Sequence, residues 1–132
     1  MAKIKAFYLK PGESGEFIEF ENKLEEFQRL VGGYIQCIHL TDEIDIILDD
    51  EGKLKGYEPN RVWLYEGKPI DIFVGNILFV RHDGDRFASI KEEDVSVIKE
   101  HCRVLVVFLG DLFILGTADE TDVEVFTIGN ED

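Results

Sequence analysis

The chain has 132 residues, 28 of them acidic and 14 basic, for a formal net charge of −14. At 45% hydrophobic and 11% aromatic it fills the core of one domain of the usual ~100–200 residues without a disulfide or metal staple. So negative a chain argues against direct binding to DNA, RNA or an anionic membrane, because each encounter would begin with repulsion.

In chain order, residues 3–9 and 16–21 alternate apolar and polar side chains around the turn signal Pro11-Gly12-Glu13-Ser14-Gly15, which predicts a β-hairpin. Asn22 reads as a helix N-cap, with Glu25 completing a capping box. Leu24, Phe27, Leu30 and Val31 then recur at helical spacing, and Gly32-Gly33 stops the helix. Residues 34–40 and 44–48 form a second hairpin across Thr41-Asp42-Glu43, and 53–60 reads as an irregular loop. A short strand at 61–65 precedes the turn Glu66-Gly67-Lys68-Pro69. Residues 70–73 and 76–80 flank Gly75 as strand with a bulge or tight bend. Ser89 caps a second helix over 90–102 through Glu92, with Val95, Ile98 and Cys102 facing inward. Residues 103–108 and 112–115 form a hairpin about Gly110-Asp111, and 123–128 adds a last strand. The sum is a single compact α+β domain over 1–132, a largely antiparallel sheet with two helices and roughly eight strands.

Lys3, Lys5 and Lys10 interrupt the opening apolar residues, so the ~7–15-residue core of a signal peptide is missing. The longest apolar run, 104–109, falls short of the ~18–20 residues that span a bilayer. A cytoplasmic location follows as the expectation, with Cys37 and Cys102 as buried free thiols. If the apolar runs 104–109 or 112–115 lie at a sheet edge, pairing into a homodimer would cover them.

Four segments carry a family likeness in their order and spacing: the Pro11-Gly12 turn after the first strand; Leu30-Val31-Gly32-Gly33-Tyr34-Ile35-Gln36; Asp50-Glu51-Gly52-Lys53-Leu54 running on to Pro59-Asn60-Arg61; and Ile70-Asp71-Ile72-Phe73-Val74-Gly75-Asn76. Together they resemble domain-of-unknown-function family 3846, found in bacteria, phages and mobile elements. The resemblance covers about residues 1–100 and leaves 101–132 as a C-terminal strand extension. It implies an accessory protein of a phage or mobile element and no particular activity.

Arg61 offers a planar fork of donors suited to carboxylate or phosphate, and Asn60 beside it both donates and accepts. Asp71 and Asn76 about Gly75 would complete a polar pocket, with Tyr34 or Trp63 as an apolar wall. The structural alternative is that Arg61 pairs with Asp71 to pin the loop. Gly32-Gly33 follows a helix rather than preceding one, so it caps and does not cradle phosphate. His39, His82 and His101 show no metal-ligand spacing, and no acidic run has the spacing of a calcium loop. No cofactor, metal or catalytic residue is therefore assigned. Beyond Arg103 there is no Lys or Arg, while Asp119, Glu120, Asp122 and Glu124 make an acidic face along the last strand.

The first reading is a small non-enzymatic accessory protein binding an unidentified ligand or protein partner through Asn60, Arg61, Asp71, Asn76 and Tyr34. The alternative is an acidic inhibitor that mimics nucleic-acid phosphates before a host defence or nucleic-acid-binding protein. A small enzyme of unknown reaction ranks third.

Overall fold

The computed structural model describes residues 2–108, 112–116 and 123–127, with side chains as far as Arg103. In chain order they form β1 (Lys3–Leu9), β2 (Glu16–Glu21), α1 (Leu24–Val31), β3 (Ile35–His39), β4 (Ile44–Asp49), the single turn α2 (Gly52–Lys55), β5 (Pro59–Tyr65), β6 (Lys68–Val74), β7 (Ile77–Asp83), β8 (Arg86–Ala88), α3 (Asp94–His101), β9 (Cys102–Phe108), β10 (Leu112–Gly116) and β11 (Val123–Thr127).

β4 and β7 carry buried apolar side chains on both faces, so they sit inside a sheet that is covered on both sides. That sheet runs β2-β1-β7-β4-β3, with β8 added to β7, and every pairing in it is antiparallel. One face carries Ile4, Ala6, Tyr8, Ile47, Leu78 and Val80 against Phe27 and Val31 of α1. The opposite face carries Phe7, Leu9, Ile44, Ile46, Leu48, Ile77 and Phe79 against Phe73, Ile98 and Cys102. The second sheet runs β11-β10-β9-β5-β6, again antiparallel. Each fully buried Leu, Ile or Phe contributes roughly 1.5–3 kcal/mol, so these two apolar layers are the main source of stability. The result is a single α+β domain with two antiparallel sheets. No helix among the described residues is long and apolar enough to cross a membrane.

The hairpins form as the sequence predicts, with Phe7 opposite Phe17 and Ile38 opposite Ile46. Gly75 is the bend at which the chain leaves β6 in one sheet and enters β7 in the other, at φ 76°. Several local expectations are corrected. Neither Asn22 nor Ser89 caps a helix: Asn22 Nδ2 donates to Phe87 O, and Ser89 Oγ accepts from Lys5 N, both tying separate segments together. α1 starts one residue later than a cap at Asn22 requires, with no side-chain cap. α3 starts at Asp94, whose carboxylate takes Lys91 N at 2.9 Å and a two-bond fork from Arg81 at 2.7 Å. Those bonds hold Asp94 below its ordinary pKa and place a negative charge at the positive end of α3. The described residues include three helices rather than two, because Gly52–Lys55 turns once inside the expected loop, and β8 adds a short strand. β9 lies between β10 and β5, and β10 between β9 and β11, so neither is an edge that a homodimer would need to cover. The Gly110-Asp111 turn lies outside the described residues.

Candidate functional site

Asn60 and Arg61 are buried, and their hydrogen-bonding groups turn inward to the backbone. Asn60 is 2% exposed; its Nδ2 donates to Leu9 O at 2.9 Å and to Gly75 O at 2.7 Å. Arg61 donates Nη1 to Asn60 O and Oδ1 and Nη2 to Glu13 O, holding the β1–β2 turn against β5. Asp71 stands opposite Trp63, and its Oδ1 accepts from Lys53 Nζ at 2.6 Å and Ile72 N at 2.8 Å. The expected Arg61–Asp71 anchor is replaced by these separate ties. Trp63 is stacked on Phe73 in the core, and Tyr34 projects to solvent at 74% exposure. The four polar residues therefore do not share one pocket. Of the acidic face, Asp119, Glu120 and Asp122 lie outside the described residues, and Glu124 falls on β11 opposite Leu115.

Asn76 does line a groove. It is about 330 Å³, bordered by Pro11, Arg29, Gly32, Tyr57 and Glu58. Asn76 Nδ2 donates to Tyr8 Oη at 3.1 Å, and Tyr8 Oη donates to Leu30 O at 2.6 Å. Burial is the main reason that Tyr8 titrates above its ordinary range. Tyr57 is the residue that sequence reasoning missed. A Cβ on Gly75 would stand 2.5 Å from its ring, one on Gly52 3.2 Å, and one on Gly32 2.7 Å from its hydroxyl. Three glycines from separate segments thus make a slot for one aromatic ring. Gly32 ends α1 in the left-handed region at φ 100°, as expected, and its carbonyl takes Tyr57 Oη and Lys55 Nζ. Lys55 also donates to the buried Asp49 at 2.8 Å, and the carboxylate is held low by this bond and by Glu51 N despite its burial.

At the other end of β4, Asp45 is 1% exposed, the second buried aspartate of a strand whose other residues are apolar. His39 Nδ1 lies 2.6 Å from its Oδ1 and His82 Nδ1 3.1 Å from its Oδ2. Cys37, two residues before His39 on the same face of β3, joins them; the Cys37, His39 and Asp45 donor atoms lie within 4.8 Å of one another. This corrects two expectations: Cys37 is exposed rather than buried, and the fold brings two histidines onto one carboxylate. Desolvation, then the Asp45 charge, pushes the Cys37 thiol up to about 11, which makes it a poor nucleophile near neutrality. Cys102 lies across the sheet in the inter-sheet core, also free, so the thiols do not meet. An aspartate interrupting the apolar run of β4 was the available sequence signal.

A family model described as Domain of unknown function (DUF3846) matches residues 4–103. The chain belongs to that family. Searches of the curated proteins and of the solved structures each return no match. In this DUF3846 domain the segments with the family likeness converge: Pro11, Leu30 to Gly32, and Gly75-Asn76 line the groove, Gly52 backs Tyr57, and Asn60 bonds Gly75 O. The match ends at Arg103, where β9 has just begun.

The glycine slot predicts a non-additive pair. Gly75→Ala is expected to cost at least ~3 kcal/mol, from left-handed strain plus the Tyr57 clash. Gly12→Ala has a similar φ of 79° and no neighbour within 4 Å, so it costs only about 1 kcal/mol. In a Tyr57→Ala background the Gly75→Ala cost should fall towards that of Gly12→Ala, as read by urea unfolding. Equal Gly75→Ala costs in both backgrounds would remove Tyr57 from the slot.

Proposed function

We propose that this protein is a non-enzymatic accessory protein of the cytoplasm that binds a small polar molecule in the groove beside Asn76. The observation that carries the reading is the meeting of a cationic, an amide and an aromatic side chain in one concavity, Arg29, Asn76 and Tyr57. Its volume is at the lower end of the ~300–1,000 Å³ typical of small-molecule sites. Arg29 is held by Glu26 at 2.8 Å in an exposed i,i+3 pair, a weak tie that solvent screens. A ligand carboxylate or phosphate can take the guanidinium at little cost. In this reading Arg29 takes the role that the sequence assigned to Arg61, and Asn76 keeps its own.

Native mass spectrometry of the freshly purified chain tests the reading. The expected result is a native mass above the denatured mass by that of a retained small molecule, lost in Arg29→Ala while circular dichroism shows that the variant is folded. Identical native and denatured masses for the unmodified chain would count against it.

A second reading keeps the acidic inhibitor. β11, which carries Glu124, is an edge strand of the five-stranded sheet among the described residues, and the chain carries a net charge of −14. A basic protein partner would bind there with steep salt dependence. Asp122→Lys with Glu124→Lys should abolish such binding; retention of the partner by the doubly reversed chain would remove this reading.

A further inference from the structure

We propose that Cys37, His39, Asp45 and His82 form a binding site for a divalent transition metal of the zinc class. The four side chains come from three adjacent strands and share one face of the sheet. Cys37 and His39 are two apart on β3, and Asp45 is directly opposite His39 on β4. Val80 of β7 is opposite Asp45, and His82 lies two residues further along the same face. The period of two along each strand therefore gathers a thiol, two imidazoles and a carboxylate at one corner, beyond the apolar patch that α1 covers.

The electrostatics of the corner favour a cation. Asp45 is a buried carboxylate with no lysine or arginine partner among the described residues; its neighbours are two imidazoles and a thiol. A buried carboxylate needs compensation. At the opposite end of β4, Asp49 gets it from Lys55. At Asp45 a dication would supply it, since thiolate, carboxylate and two neutral imidazoles together carry two negative charges. The donor set selects among metals: sulfur with nitrogen and one oxygen suits zinc or cobalt(II), not magnesium or calcium. In a tetrahedral site with bonds of about 2.0–2.3 Å the donors stand roughly 3.3–3.8 Å apart. The Cys37, His39 and Asp45 donors, within 4.8 Å of one another, require a contraction of about an ångström through side-chain rotation of the exposed Cys37 and His39. His82, outside that group of three but 3.1 Å from Asp45 Oδ2, must turn inward to complete the four. Among the described residues β3 is an edge strand of its sheet, so the metal would also pin that edge to β4 and β7.

Cobalt(II) is the probe. The tag-free chain is stripped with chelator, titrated with cobalt chloride at neutral pH, and then challenged with zinc. The expected result is one cobalt ion per chain, with a thiolate-to-cobalt charge-transfer band in the near ultraviolet and the intense visible bands of tetrahedral cobalt. Zinc should bleach both, and zinc should raise the melting temperature of the stripped chain. Cys37→Ser should lose the charge-transfer band, and His82→Ala should weaken binding tenfold or more. His101→Ala, on α3 outside the cluster, should bind as the unmodified chain does. Circular dichroism of each variant separates loss of the metal from loss of the fold. A folded chain that shows no charge-transfer band, or an unchanged spectrum in Cys37→Ser, would overturn the proposal.

Discussion

The Asn60 carboxamide is the tie on which the arrangement of the two sheets depends. It projects from β5 and donates at once to Leu9 O, at the end of β1, and to Gly75 O, where the chain crosses between sheets. Its oxygen accepts from Arg61, which reaches on to the β1–β2 turn at Glu13 O. Two backbone segments distant in sequence, residues 9–13 and Gly75, are thus fixed to β5 by two adjacent side chains. Buried carbonyls need partners, and water cannot supply them at a residue that is 2% exposed. That accounts for a polar pair at the centre of a β-rich junction without invoking a ligand.

The same junction sets the geometry of the groove. Because Asn60 holds Gly75, the β6–β7 bend stays against Tyr57, and Tyr57 in turn closes on Gly32 at the end of α1. Asn76, one residue beyond the bend, is thereby aimed at Tyr8 and Leu30 O on the groove wall. Binding chemistry and architecture share residues here, so the segments with the family likeness serve both. β4 extends this logic across the sheet. Its two buried aspartates leave the same face on either side of Ile47; Asp49 is neutralised by a lysine, whereas Asp45 faces imidazoles and a thiol. One strand therefore places an ion pair at one end and a ligand-type cluster at the other.

Much of the fold was legible because hairpin turns and hydrophobic alternation are local signals. The Pro11 to Gly15 turn, the Gly32 helix stop and the β3–β4 pairing all follow from neighbouring residues. What the sequence hid was long-range. Asn22 and Ser89 have the chemistry of N-caps, yet tertiary hydrogen bonds to Phe87 and Lys5 claim their side chains. Arg61 and Asp71 look complementary along the chain, but sheet register puts Trp63 opposite Asp71 and brings Lys53 to it instead. His39 and His82 are 43 positions apart, and only the antiparallel order β3-β4-β7 brings both to Asp45. Tyr57 was invisible for the same reason, since its slot is assembled from Gly32, Gly52 and Gly75.

The most direct test of the central claim is equilibrium urea unfolding of Asn60→Ala beside the unmodified chain. Truncation leaves Leu9 O and Gly75 O without their amide donor, so the account predicts a loss of about 3 kcal/mol, with the midpoint lowered and the slope unchanged. A midpoint within error of the unmodified chain would contradict it, and would return Asn60 and Arg61 to the role of ligand-binding residues.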